Sequence, residues 1–155
     1  MALTFTAATF DDHDMHHIMH INNRVMKELF YDPEGAQVLF NSLDEIREFL
    51  IGSISVIAEF DETPIAYFRY YFTRTNTMKL CRLGPLAILP EYNTDDVNKM
   101  ISAFVTHIAR NTNCRYVLVE AMESTVGSFV SEGYTEYAKH ISGGLPIVRL
   151  KKLVS

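Results

Sequence analysis

The sequence is poor in several features that mark specialised proteins. It has two cysteines among 155 residues, no Pro/Gly/Ser-rich linker and no long hydrophobic run. Its apolar runs fall far short of the ~18 residues that span a bilayer, so no transmembrane helix is expected. The net charge of −5 argues against a nucleic-acid or anionic-membrane surface. The opening stretch "MALTFTAATF" lacks basic residues and predicts a first strand, not a signal peptide.

The two cysteines and the absence of linkers lead to predictions about the core and the number of domains. Cys81 and Cys114 lie in apolar, strand-like segments, where cysteine behaves as a small hydrophobic residue. We expect both to be reduced thiols in the core, which fits a cytoplasmic protein. Because no linker, repeat or low-complexity tract interrupts the chain, the sequence predicts a single domain over residues 1–155.

The hydrophobic pattern predicts seven strands and four helices in the order β-α-α-β-β-β-α-β-α-β-β. Asp11 or Asp12 is placed to cap the first helix, and a loop containing "YDPEG" follows it. Ser42 is placed to cap the second helix, which Gly52 ends. Hairpin turns are predicted at "DETP" and at residues 143–144. The pattern indicates a mixed sheet with helices on its faces.

Three stretches carry a resemblance to a known family: "LGPLAILPEY" before the long helix, "YVLVEAM" and "FVSEGYTEY". Together with the element order, they resemble the GCN5-related N-acetyltransferase (GNAT) superfamily over nearly the whole chain. The resemblance implies an α+β acyl-CoA N-acyltransferase fold with a central mixed, mostly antiparallel sheet flanked by helices. It also implies transfer of an acetyl group from acetyl-CoA to an amine.

The resemblance implies where coenzyme A would bind. The main chain of Leu86, Ala87 and Ile88 would pair with the pantetheine arm. The pyrophosphate would meet the loop and helix start that contain Asn93, Asp96, Val97, Asn98 and Lys99. The family's pattern there is Arg or Gln, two residues, Gly, one residue, then Gly or Ala. This chain has Asn93, Asp96 and Asn98 at those positions, so the glycine that lets backbone approach an anion is missing.

The same residues also fit the ordinary N-terminus of a helix. Asn93 or Thr94 would cap the helix, and Asp95 and Asp96 would oppose the positive end of its dipole. The carboxylates would then stand where a phosphate would bind. A helix cap and a working anion site both stay open, and the lost glycine favours the cap.

The residues for proton transfer are also altered. Phe129 stands at the position that carries the family's tyrosine acid, and a phenyl ring cannot donate a proton. Tyr134 and Tyr137 are near in sequence but are expected on the following strand. Glu120, at the end of a strand, is the best candidate for a general base. Cys81 could be a nucleophile only with an activating neighbour, and none is evident.

The stretch "HDMHHIMH" places His13, His16, His17 and His20 within about two helical turns, opposite the apolar stripe. Imidazoles four residues apart can chelate Zn²⁺, Ni²⁺ or Cu²⁺. A solvated helix face explains them more simply, so no metal is assigned.

The predicted third and fourth strands are rich in aromatic and basic residues: Tyr67, Phe68, Arg69, Tyr70, Tyr71, Phe72, Arg74, Lys79 and Arg82. Alternation would expose some rings, which could form a substrate cleft or a partner interface. The basic side chains could bind an acidic ligand or protect an open sheet edge from aggregation.

These observations favour a GNAT-fold protein with weak or no acetyl transfer, retained as a regulatory or assembly module that binds a ligand or partner. The alternative is an active acetyl-CoA-dependent N-acetyltransferase. The expected partners are a small-molecule amine or a protein, with a homodimer possible and neither nucleic acid nor membrane involved.

Overall fold

The computed structural model describes residues 2–29, 40–142 and 144–154. Its strands and helices follow one another in the predicted order. They are β1 Thr4–Ala7, α1 Asp12–Leu29, α2 Leu43–Leu50, β2 Ile54–Phe60, β3 Thr63–Arg74, β4 Lys79–Ile88, α3 Asp95–Asn111, β5 Tyr116–Met122, α4 Glu123–Ser131, β6 Thr135–Ser142 and β7 Leu145–Leu153. A short 3-10 turn, Pro90–Tyr92, precedes α3 and was not predicted.

The strands form one seven-stranded sheet in the order β1-β2-β3-β4-β5-β7-β6. The pairs β1–β2, β5–β7 and β6–β7 are antiparallel, whereas β4 and β5 are parallel. The predicted α+β fold with a mixed, mostly antiparallel sheet is therefore confirmed. The described β4–β5 ladder ends at the Leu83–Val119 pair, although β4 continues to Ile88.

The chain divides into two compact units. The first contains residues Met1–Arg69 and Leu86–Asn93, and the second contains Tyr70–Pro85 and Thr94–Ser155. Each unit takes up two separate stretches of the chain, so the division does not follow a linker. The single domain over residues 1–155 stays a prediction.

The first unit is built around the apolar stripe of α1. The fully buried members of this core cluster include Met15, Ile18 and Ile21 from α1 and Ile46 and Leu50 from α2. Burial of a side chain of this size stabilises a fold by about 1.5–3 kcal/mol relative to exposure. The stripe therefore explains why α1 and α2 are helical and lie against each other.

Local capping fixes the ends of these two helices. The Asp14 amide donates to Asp11 Oδ1 at 2.8 Å, so Asp11 is the cap of α1. Ser42 Oγ accepts from the Glu45 amide at 3.2 Å, and Gly52 adopts a φ of +84° just after α2. These predictions are confirmed, whereas the loop "YDPEG" and Gly143 lie outside the described residues.

The second unit has its core on α3 and the strands β5 and β7. The buried face of α3 includes Val97, Ile101 and Val105, and the strands contribute Val117 and Leu150. Both cysteines are buried free thiols, as predicted. In the described part of the chain, no helix is long and apolar enough to cross a membrane.

The expectations for the aromatic and basic strands were partly wrong. β3 and β4 are the third and fourth of seven strands, so their basic side chains do not protect a sheet edge. Arg69 instead donates to the Phe49 carbonyl, and Arg82 donates to Thr73 Oγ1. Tyr67 and Phe68 are consecutive and both fully buried, so simple alternation of buried and exposed rings is not observed.

Candidate functional site

The start of α3, in the second unit, is closed by a side-chain cap. Thr94 is the N-cap residue, with extended backbone at φ −116° and ψ 163°, and its Oγ1 accepts from the Val97 amide at 3.3 Å. The Thr94 carbonyl accepts from both the amide and the side-chain Nδ2 of Asn98, at 3.1 and 2.9 Å. Of the two predicted cap residues, Thr94 is the one that caps the helix.

Two carboxylates follow the cap in the first turn. Asp95 and Asp96 are exposed at the positive end of the helix dipole, where negative charge is stabilising. Asp95 Oδ1 also accepts a hydrogen bond from Ser128 Oγ of α4 at 2.6 Å. Sequence reasoning missed Ser128, because it lies 33 residues away and carries no local signal.

The other residues predicted to meet the pyrophosphate differ in their exposure. Val97 and Asn98 are buried, at 0% and 3% exposure, so their side chains face the protein interior. Asp96 and Lys99 are exposed on the helix. This helix start therefore presents a carboxylate pair and one lysine to solvent, while the Val97 amide is bound by the cap.

The predicted pantetheine segment lies at the end of β4, in the first unit. The side chains of Ala87 and Ile88 are buried, and Leu86 is partly buried. The strand then enters the 3-10 turn, where the Asn93 amide donates to the Pro90 carbonyl at 3.2 Å. Because the side chains of this segment face inward, its extended main chain is the part that could pair with a ligand.

Glu120, the predicted general base, forms an ion pair. It lies opposite Arg149 in the β5–β7 ladder, and its Oε1 is 3.3 Å from Arg149 Nε. Both side chains are about half exposed, at 54% and 44%. An exposed pair of this kind is weak, so Glu120 keeps its access to solvent.

The predicted loss of the tyrosine acid can be followed in the packing at the end of α4. Phe129 is 1% exposed, and its ring meets that of Tyr134 edge-on at 5.2 Å. Tyr134 is 3% exposed, and burial raises its pKa to about 12, an effect that the hydroxyls of Ser102 and Thr106 oppose. Neither ring presents a phenol to solvent. Tyr137 is exposed, in the β6 irregularity between Glu136 and Ala138.

Cys81 is the remaining candidate nucleophile. Its side chain is fully buried, and burial, reinforced by Cys114, raises the pKa of the thiol to about 12 despite the nearby Lys79. A thiol of this kind carries almost no thiolate near neutral pH. Its environment favours a structural role.

The four histidines lie on the solvated side of α1, as the helical period predicts. His13, His16 and His20 are exposed, and His17 is partly buried. The Nε2 atoms of His13 and His17 are 3.3 Å apart. Among the described residues, no group of three or more His, Cys, Asp or Glu side chains is arranged to hold a metal ion.

Comparison with known proteins relates this geometry to a fold family. No family model matches the sequence, and no curated protein matches it. An acetyltransferase of the GNAT family from Streptococcus pneumoniae superposes with a TM-score of 0.75 at 13% identity, over 99% of this chain and 100% of the other. The fold is that of the GNAT superfamily.

Two further solved structures share this GNAT fold. The ribosomal-protein-alanine N-acetyltransferase from Brucella melitensis has a TM-score of 0.71 at 14% identity, over 97% of this chain and 99% of its own. AAC(6')-Ib, in complex with ribostamycin and coenzyme A, has a TM-score of 0.71 at 15% identity, over 99% and 94%. At such low sequence identities the similarity establishes the fold alone. Any chemical activity has to be argued from the residues of this chain.

Proposed function

We propose that this GNAT-fold protein binds a ligand or protein partner as a regulatory or assembly module, with weak or no acetyl transfer. The observation that carries the proposal is the closed start of α3. The Val97 amide donates a hydrogen bond to Thr94 Oγ1, and Ser128 Oγ donates one to the Asp95 carboxylate at 2.6 Å. The protein's own negative charge thus stands at the end of the helix that would attract a diphosphate.

The electrostatic penalty for a diphosphate at this position is large enough to matter. One carboxylate about 5 Å from one phosphate charge costs ~1 kcal/mol in water-like screening and ~3 kcal/mol at an effective dielectric near 20. Asp95 and Asp96 are both exposed, so the lower value applies to each. Two such terms weaken binding by at least about tenfold, since 1.4 kcal/mol is one decade in affinity.

The groups for proton transfer support the same proposal. Phe129 has no hydroxyl, and burial holds the Tyr134 phenol inside the second unit with a pKa of about 12. Glu120 is paired with Arg149. A departing thiolate would therefore have to take its proton from water, which removes the contribution of ~10²–10⁴ in rate that a positioned acid supplies.

The alternative function is an active N-acetyltransferase that uses acetyl-CoA. It is favoured by β4, whose extended main chain continues to Ile88 beyond the last described pair with β5, at Leu83. By resemblance, Leu86, Ala87 and Ile88 would pair with pantetheine through main-chain groups, which tolerate side-chain change. In that case Glu120 or water would act as base, and the acceptor would be a small-molecule or protein amine.

Calorimetry with acetyl-CoA separates the two functions. We expect the wild-type protein to bind with a Kd in the millimolar range or weaker, and Asp95→Asn/Asp96→Asn to bind about tenfold or more tightly. The variant Glu48→Gln/Asp61→Asn is the matched control, because it removes two exposed carboxylates elsewhere in the chain. It should bind no more tightly than the wild-type protein.

Two outcomes would contradict the proposal. Submillimolar binding by the wild-type protein, with release of free coenzyme A thiol in the presence of amines, would establish the enzyme. Absence of any gain in Asp95→Asn/Asp96→Asn would show that the two carboxylates are not what weakens binding.

A further inference from the structure

We propose that His13 and His17 form a two-residue chelating site for a late first-row divalent cation, Zn²⁺ above all. The two residues are four apart on α1, and their Nε2 atoms are 3.3 Å apart. Their rings meet almost at right angles, at 84°, with centroids separated by 4.5 Å. The two nitrogens thus lie close enough together for one ion to reach both at the helix surface.

The separation of the nitrogens matches the geometry of a tetrahedral ion. Two Zn–N bonds of about 2.0–2.1 Å at the tetrahedral angle place the nitrogens about 3.3–3.4 Å apart, and a right angle would place them about 2.9 Å apart. The observed 3.3 Å agrees with the tetrahedral value. The spacing of the nitrogens therefore suits Zn²⁺, while a right angle at Cu²⁺ or Ni²⁺ would require a shorter separation.

Without metal, the same contact is a hydrogen bond between two imidazoles. One ring must then donate its Nε2–H and the other must accept through a bare nitrogen. Imidazole binds metal in its neutral form, so the donating ring must carry its proton on Nδ1 instead of Nε2 before both nitrogens can bind the ion. The contact already brings one bare Nε2 to the site, and the other ring needs only this change of tautomer.

The charge around the pair favours a cation. Three carboxylates, those of Asp11, Asp12 and Asp14, lie at the start of α1 within two residues of His13. The carboxylate of Asp14 accepts from the Thr9 amide at 2.8 Å, and that of Asp12 forms an ion pair with Arg47. Because these carboxylates have other partners, they contribute a negative electrostatic potential around the site. The two imidazoles form the bonds to the ion.

The site is open, because it has two protein ligands. No third His, Cys, Asp or Glu of the described residues joins them. The remaining positions on the ion are filled by water or by a donor from a bound molecule. Exposure of His13 and partial exposure of His17 leave that side of the ion accessible.

The chain contains its own control pair. His16 and His20 have the same spacing on the same helix, and both are exposed. His20 lies near Glu91, which is held by Arg24 through two hydrogen bonds of 2.6 and 2.7 Å. Substitution of this second pair removes two imidazoles from the same helix and leaves His13 and His17 unchanged.

The test is a Zn²⁺ titration of the full, untagged chain by competition with a chromophoric chelator. We expect one ion per chain, with affinity reduced by more than about tenfold in His13→Gln and in His17→Gln, the least that loss of a direct ligand should cause. His16→Gln/His20→Gln should change the affinity by less than about threefold. Imidazole ¹⁵N spectra should show the Nε2 signals of His13 and His17 shifting together as Zn²⁺ is added.

Three results would overturn the site. One is no binding at millimolar Zn²⁺ by a chain that is folded by circular dichroism. Another is wild-type affinity in both His13→Gln and His17→Gln. A third is an equal loss of affinity in His16→Gln/His20→Gln, which would mean only adventitious binding to exposed imidazoles.

Discussion

The hydrogen bond between Ser128 and Asp95 yields the sharpest test of how the start of α3 is held. Ser128→Ala removes the donor, and Asp95→Ala removes the acceptor, which lies 2.6 Å away on the neighbouring helix. Asp95→Ala also removes a favourable charge–dipole interaction, worth ~0.3–1 kcal/mol at an exposed helix start. Only the double variant separates the bond from that second effect.

The expected coupling follows from the type and exposure of the bond. Hydrogen bonds to charged groups contribute ~1.5–3 kcal/mol, and exposure of Asp95 to water reduces this to ~1 kcal/mol. In a chain of 155 residues, 1 kcal/mol changes the Tm by ~2–4 °C. The two single variants should therefore each unfold earlier than the wild type, and the double variant should lose less than their sum.

Urea unfolding of the four proteins in this cycle measures the coupling free energy. The matched cycle combines Ser128→Ala with Asp96→Ala, because Asp96 is the adjacent exposed carboxylate in the same helical turn. We expect ~1 kcal/mol of coupling for Asp95 and none for Asp96. Coupling below ~0.3 kcal/mol for Asp95, or equal coupling for both aspartates, would refute the idea that α4 fixes this carboxylate in place.

Two further outcomes follow from buried groups. Because burial raises the pKa of Cys81 to about 12, iodoacetamide at pH 8 should modify this thiol only after the chain is unfolded, and mass spectrometry showing rapid native labelling would contradict this. Tyr67→Phe should lower the free energy of unfolding by ~1–2 kcal/mol, since the Tyr67 hydroxyl donates to Asn22 Oδ1 at 2.8 Å inside the core. Tyr137→Phe, at an exposed position, should leave urea unfolding unchanged.

Most of the secondary structure could be predicted because its signals are local. Ser42 and Thr94 cap helices through amides three residues ahead, and Gly52 ends α2 with a left-handed backbone. Each signal depends on residues within one helical turn. The helical period likewise placed the histidines of α1 on the solvated side.

The features that escaped prediction depend on residues distant in the sequence or on side-chain rotamers. Strand order is not encoded in the alternation of a single strand, so Arg69 and Arg82 were misassigned to a sheet edge. The bond from Ser128 to Asp95 joins two helices 33 residues apart. The helical period places His13 and His17 on one face, but only their rotamers bring the two Nε2 atoms within 3.3 Å.

Phe129 is packed as a core residue, which bears on why this position lacks a hydroxyl. A phenol buried at 1% exposure would cost ~1–3 kcal/mol unless its hydroxyl found a partner, and a phenyl ring avoids that cost. The same core already contains the hydroxyls of Tyr134, Ser102 and Thr106, all of them buried. Packing therefore favours phenylalanine at the position where the resemblance implies a tyrosine acid.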